Sequence, residues 1–257
     1  MADLAAFVLA AGSGSRLRPL TEIRPKALCP VGNVPLVDIA LDRVGSLTDD
    51  ISVNVWHHSD QMVTHLGDRV RLVVEAPTLL GTAGAIGAGR DWIDGRPLLV
   101  HNADAWHHAD METFHDEWDG ERVRLLVTDD PRRGDFGNWR FCGVSLMPWH
   151  EVQRFEPVPS HLWDVSWERL HRENQLDFVA YDGPYFDCGT PRSYLSANMA
   201  ASGGANVVAD DAHVVGHIDR CVVWPGATVA AHEHLVEAIR ASGGITVDAT
   251  ADAVKNR

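Results

Sequence analysis

The sequence predicts an α/β fold: a mostly parallel, mixed sheet with helices on both faces, followed by a short β-rich segment. Three observations predict it. Short continuous apolar runs recur along the first 130 residues, which is how strands buried on both faces read. Segments with apolar residues at helical spacing separate them, and strand–helix alternation implies parallel pairing under a cover of helices. Beyond the Gly-rich stretch 202–205 the pattern changes to valines and isoleucines spaced by small and polar residues.

In order, residues 5–10 read as a first buried strand that stops at a glycine-rich turn. Residues 37–47 read as a helix, 51–56 and 70–75 as the next two strands, and 83–92 as a helix capped by Thr82. A fourth strand at 97–102 ends at Asp104, and a fifth covers 123–128. Residues 131–140 are polar and turn-rich. A strand at 141–146, a helix at 163–174, a strand at 178–181 and a helix from 191 to 200 follow. In the last segment Val207, Val214, Ile218, Val222, Val223 and Val229, with Pro225-Gly226 as a turn, fit one or two coils of a parallel β-helix, or three to four short strands of another kind. So few repeats cannot stand alone and should pack on the rest of the chain. The expected division is 1–203 for the main domain and 204–257 for the β-rich extension.

Composition narrows the function. The formal charge of −14 argues against a nucleic-acid partner, because phosphate contact needs a basic surface. Lysine occurs only at Lys26 and Lys255, so Lys26, inside a Gly/Pro-rich stretch, stands out. Cys29, Cys142, Cys188 and Cys221 have no CxxC spacing, which argues against that type of zinc site and against a disulfide scaffold. The apolar run at 7–11 is too short for a signal or membrane span. A cytoplasmic protein with reduced thiols and no membrane partner is expected; assembly with further copies of itself is left open.

The chemistry centres on Leu9-Ala10-Ala11-Gly12-Ser13-Gly14-Ser15-Arg16-Leu17. Glycines after a strand let backbone N–H groups approach phosphate oxygens, and Arg16 can offer them a fork of donors. The loop lacks the Gly-Lys-Ser/Thr of a Walker loop and the third glycine of the dinucleotide fingerprint. On spacing alone it reads equally as a strand-to-helix turn.

The continuation is more specific. Leu17-Arg18-Pro19-Leu20-Thr21, Arg24-Pro25-Lys26-Ala27-Leu28-Cys29-Pro30-Val31 and Asn33-Val34-Pro35-Leu36 together resemble the sugar-1-phosphate nucleotidyltransferase family. Three later segments agree: Leu80-Gly81-Thr82-Ala83-Gly84-Ala85-Ile86, His101-Asn102-Ala103-Asp104, and Tyr185-Phe186-Asp187-Cys188-Gly189-Thr190-Pro191-Arg192-Ser193-Tyr194. The resemblance spans residues 4 to 200. It implies a Rossmann-like, GT-A-like fold and an enzyme in which the phosphate of a sugar 1-phosphate attacks the α-phosphate of a nucleoside triphosphate and expels pyrophosphate. It also implies roles. Leu9, Ala11, Gly12, Ser13, Gly14, Ser15, Arg16 and Lys26 would hold the nucleotide phosphates, and Gly81, Thr82 and Ala83 the base. Asp104 and Asp187 would hold Mg2+, while Asn102 and Gly143 would lie on the sugar-phosphate side. Arg16, Lys26, Asp104 and Asp187 form the expected catalytic set. Such chemistry rests on positioning and charge neutralisation, and the nucleophile is the substrate's own phosphate.

Other assignments compete. Asp104 also fits a turn, Asp187 an N-cap of the following helix, and Lys26 a solvated loop. The histidines, among them His57, His58, His101, His107, His108 and His115, match no ligand spacing and read as structural or solvated. Trp139, Phe141, Trp149, Trp163 and Trp167 read as core. The chain also departs from the family, which carries Glu-Lys-Pro for the sugar and its phosphate where this sequence has residues 129–140; Arg132, Arg133 or Arg140 would have to supply that charge. Segment Leu80–Ile86 leans to the mannose-1-phosphate guanylyltransferase branch, and Asn102-Ala103-Asp104-Ala105-Trp106 to muramate-1-phosphate uridylyltransferases. A regulatory nucleotide-sugar binder, or a transferase acting on a non-sugar phosphate such as phosphocholine, is the alternative.

Overall fold

The computed structural model describes residues 4–250. The first apolar run forms β1 (Ala5–Leu9), in which Ala5, Ala6, Phe7 and Val8 are all buried, so both faces of the strand are covered. The periodic segment after it forms α1 (Leu36–Gly45), which turns Leu36, Val37, Ala40 and Val44 inward. Then come β2 (Ile51–Val55), α2 (Ser59–Leu66), β3 (Arg71–Val74), α3 (Gly81–Ala88), β4 (Leu98–Asn102), β5 (Val123–Asp129), β6 (Trp139–Met147) and β7 (Leu176–Ala180). Helix α2 escapes the sequence pattern because only Met62 and Leu66 of its eight residues are buried.

The seven strands make one sheet in the order β7-β5-β6-β4-β1-β2-β3. β1 runs parallel to β2 and β4, β2 to β3, and β5 to β7; β6 runs antiparallel to both β4 and β5. The sheet is therefore mixed and mostly parallel. On one face Phe7, Val100, Leu125 and Val127 pack with Ala83, Ile86, Ile93, Phe155, Leu162, Trp167 and Leu170. Among the described residues no helix is long and apolar enough to cross a membrane.

Two helical expectations need correction. The segment 83–92 is not one helix: α3 ends at Ala88, and a separate turn of helix runs from Arg90 to Ile93 after Gly89. Thr82 is not the cap. Leu80 holds the N-cap position without a side-chain cap bond, and Thr82 Oγ1 accepts the Leu162 N–H at 2.9 Å. Residues 163–174 open as a π-helical turn, Trp163–Trp167, before the α-helical Glu168–Arg172.

By internal contacts the chain falls into two units. One holds the residues up to Gly12 together with Val37–Tyr185, and so contains the sheet. The other holds Ser13–Leu36 and the chain from Phe186 onward. In the second unit α4 (Pro191–Ala201) is capped by Thr190, whose side chain accepts the Ser193 N–H, with proline at the favourable first turn. Beyond it three ladders of short parallel strands stack. Val207–Val208, Val222–Val223 and Ala238–Arg240 form one, His213–Val214 and Thr228–Val229 the second, His217–Asp219 and His234–Val236 the third. Of the two readings of this segment, the parallel β-helix is the one observed. Val223, Ala227 and Val229 fill its interior with Val208, Ala212, Val214, Ile218 and Leu235, and the antiparallel strand Thr246–Asp248 closes one edge.

Candidate active site

In an open α/β sheet, ligands bind beyond the carboxyl ends of the strands where the strand order reverses. Here that place lies between β1 and β4: the chain moves from β1 outward to β2 and β3, then returns to β4 on the other side of β1. Leu9 pairs with Asn102 in register, and the Ala103 N–H donates to the Leu9 carbonyl at 3.0 Å. Leu9 thus lies beside Asn102 and Ala103 where the two strands end, and Ala11, Gly12 and Asp104 follow within a few residues. Gly143 on β6 packs against the side chains of Asn102 and Ala105. Asp104 is half-buried.

The turn holding Gly81, Thr82 and Ala83 follows the end of β3. Residues 156–162 lie along α3 and meet its first turn: the Ala83 N–H donates to the Ser160 carbonyl at 3.1 Å, and the Ser160 N–H donates to the Leu80 carbonyl at 2.9 Å. Beneath the turn is a buried polar relay absent from the sequence reading. Asn54 accepts the Ala10 N–H at 2.7 Å and donates to Glu75 at 2.7 Å; the other Glu75 oxygen accepts the Leu80 N–H. A polar residue within the apolar run Ile51–Val55 was the available signal.

The second unit gathers the remaining predicted residues. Gly14 adopts a left-handed conformation, φ 61°, and a side chain there would lie 2.7 Å from the Thr21 methyl and 3.1 Å from the Lys26 Cβ. Glycine is what lets the loop close on the Lys26 segment. The turn is fastened by the Leu17 N–H and the Thr21 hydroxyl, both donating to the Gly14 carbonyl at 2.9 Å. Ser13 and Ser15 flank Gly14, and Arg16 extends from the 3-10 turn Ser15–Leu17 to within 3.5 Å of Asp187. Asp187 also accepts the Gly189 N–H at 2.9 Å. A Cβ on Gly189 would stand 2.7 Å from the Arg16 guanidinium and 2.8 Å from the Asp187 carboxylate. Arg16 is 63% exposed and Asp187 31%, so the stabilisation of this solvent-screened pair is small and its significance is placement.

The Lys26 segment is anchored from behind. The Tyr194 hydroxyl on α4 donates to the Pro30 carbonyl and accepts the Trp224 indole N–H at 3.0 Å. Asn198 accepts the Gly32 N–H at 3.1 Å, and the Arg24 guanidinium lies over the Trp224 ring at 4.9 Å. Burial raises the Tyr194 pKa well above its ordinary value, which keeps the phenol a donor. All four cysteines are buried free thiols; burial pushes Cys29 and Cys142 up to about 12, which makes both unreactive.

His101 and His107 are structural. The Ala109 N–H can only donate, so His107 Nδ1 accepts it, at 3.2 Å, and the His107 proton sits on Nε2. That proton goes to His101 Nε2, 3.2 Å away, and His101 Nδ1–H goes to the Asn102 carbonyl at 2.9 Å. Both rings are satisfied as neutral imidazoles. Burial lowers His101 to about 4, with Arg43 also lowering it and the Asn102 carbonyl and Asp104 opposing; burial, then His101, Arg43 and His108, lower His107 to about 2. In the unfolded chain both titrate near 6.5. Between pH 6.5 and 4 the unfolded chain therefore binds protons that the folded chain refuses, and acid destabilises the fold. Stability should be full above about pH 6.5 and fall on the order of 1 kcal/mol per pH unit for each ring below it. Denaturant midpoints at pH 7.5 and 5 measure this; equal midpoints would show that the rings titrate normally.

Where the Glu-Lys-Pro element is missing, residues 131–138 turn back and bury Phe136 among Trp163, Trp167, His171 and Phe178. Arg132 and Arg133 are exposed. Arg140 is held, 3.7 Å from Asp130 and 5.1 Å over the Tyr185 ring. Of the predicted aromatic core, Trp163 is 38% exposed, while Trp139, Phe141 and Trp149 pack on the core cluster and Trp167 belongs to it.

The family model described as nucleotidyl transferase matches residues 5–162. N-acetylmuramate alpha-1-phosphate uridylyltransferase of Caulobacter vibrioides is 29% identical over 75% of this chain and 94% of its own length. The bifunctional protein GlmU of Methanocaldococcus jannaschii is 33% identical over 42% of this chain, and the match spans 27% of that relative. Among solved structures, the mannose-1-phosphate geranyltransferase of Thermus thermophilus superposes with a TM-score of 0.70 at 19% identity, covering 96% of each chain.

Proposed function

The chain belongs to the nucleotidyl transferase family, and on that premise we propose that it joins a nucleoside triphosphate to a sugar 1-phosphate, releasing pyrophosphate with the help of Mg2+. The observation that carries this is the contact of Arg16 with Asp187, two residues from distant segments of the chain, beside a loop closed on Lys26.

The nucleotide phosphates lie along Gly12 to Arg16, where Lys26 and Arg16 balance their charge and favour departure of pyrophosphate. Gly81, Thr82 and Ala83 receive the base. Asn102 and Gly143 border the sugar phosphate, whose ionised oxygen is the nucleophile, so no general base is required. Arg140 is the best-held cation for that phosphate in place of the missing lysine. Asp104 and Asp187 are hard oxygen donors, half-buried and reachable, which suits Mg2+ better than a softer ion. Bound there, the ion would offset the repulsion between two phosphate-bearing substrates. Residues 1–203 carry the chemistry and 204–257 the extension, in a cytoplasmic enzyme.

Pyrophosphate release measured across four nucleoside triphosphates and a panel of sugar 1-phosphates, including mannose and N-acetylmuramate 1-phosphates, tests this. Release with one pairing is expected. Nucleotide binding without release for any pairing would replace the enzyme with a regulatory nucleotide-sugar binder.

A further inference from the structure

A nucleotide pocket needs its phosphate loop and its base turn at a fixed separation, yet in this chain they leave different strands, β1 and β3, with β2 between them. We propose that Asn54 and Glu75 are positioning residues that set this separation. The proposal rests on the nucleotide-binding role given to the loop and turn above.

Asn54 and Glu75 are each 3% exposed. Burying an amide against a carboxylate is costly unless their polar atoms are matched. Here the match is head to tail. Asn54 Oδ1 takes the N–H of Ala10, at the exit of β1, and Asn54 Nδ2 gives a proton to Glu75 Oε1. Glu75 Oε2 takes the N–H of Leu80, the residue before Gly81. Each end of the relay thus grips the backbone immediately adjoining one proposed ligand-binding segment. Two apolar side chains of similar volume would hold the core as well, but they would not fix those two backbone positions.

The donor–acceptor pattern permits a swap. In Asn54→Asp alone, two carboxylates face each other. In Glu75→Gln alone, Asn54 and Leu80, which donate to different Glu75 oxygens, meet one oxygen and one NH2, so one donor faces another donor. In the double variant the new carboxylate at position 54 accepts from Ala10 and from the new amide at position 75. The oxygen of that amide accepts from Leu80, and net charge is unchanged. Dissociation constants for ATP, GTP, CTP, UTP and dTTP with Mg2+ should be measured by calorimetry on the full chain and these three variants, beside thermal melting. Each single change should weaken the preferred nucleotide roughly ten-fold or more, and the double change should recover most of that loss. A purely structural role would lower melting temperatures while leaving the folded fraction's affinity native, and that result overturns the proposal. So does a well-folded double variant that fails to recover binding. If the native chain binds none of the five, the loop is not a nucleotide site and the relay's positioning role falls with it.

Discussion

Asp104→Asn should lower the rate of pyrophosphate release by roughly two to three orders of magnitude, the largest catalytic effect expected of any conservative change in this chain. Asparagine preserves shape and nearly all hydrogen bonding but removes the charge. Asp104 stands just beyond β4, at the reversal of strand order, on a turn whose backbone is tied to Leu9 through Ala103 and to the neutral His101 through Asn102. Asparagine keeps the size of the side chain and an oxygen acceptor, so the substitution should leave the fold and the melting temperature near native. Nucleotide affinity measured without metal should also stay within a few-fold. A rate within ten-fold of native, with a normal fold, would mean that Asp104 is a turn residue and no more. Asp187→Asn is a less clean test, because Asp187 also holds Arg16 and the Gly189 N–H.

The inner strands were legible because they are buried on both faces and therefore read as largely apolar runs; β1, β2, β4 and β5 fall within one or two residues of expectation. The failures have physical causes. Helix α2 buries only two side chains, so it has almost no stripe to detect. Thr82 followed the rule for a cap, but the Ser160 carbonyl satisfies the first turn of α3 instead, and Thr82 turns to Leu162. The candidate ligand groups came from the resemblance of whole motifs, since on spacing alone the glycine loop reads equally as a strand-to-helix turn, Asp104 as a turn residue and Asp187 as a cap. Their supports were not legible. Asn54 and Glu75 bond the backbone beside the candidate site, while His107 and Trp224 act one step behind, through His101 and Tyr194; these are tertiary contacts, of which one-dimensional spacing carries no trace. The valine-rich tail was read down to two alternatives, and the choice between them needed the ladders that pair Val207 with Val222 and His217 with His234.

The second large effect is structural, and it joins the β-helix to the chemistry. Trp224→Ala should cost about 3–5 kcal/mol, since Trp224 is 1% exposed and among the largest fully buried side chains described. Three losses coincide. The indole leaves a cavity; Tyr194 loses the donor to its hydroxyl oxygen; Arg24 loses the ring beneath its guanidinium. Trp224→Phe separates them, because it keeps most of the volume and the aromatic face but not the N–H, and should cost about 1–2 kcal/mol. The consequence reaches function through Tyr194, whose hydroxyl fixes the Pro30 carbonyl four residues past Lys26. Loosening that anchor should weaken nucleoside triphosphate affinity in the folded Trp224→Phe protein, while Trp224→Ala should show it at temperatures where it remains folded. Chemical denaturation gives the first quantity and calorimetric titration the second. An alanine variant destabilised by less than about 1 kcal/mol would mean that the Lys26 segment is held by its own prolines rather than by the β-helix.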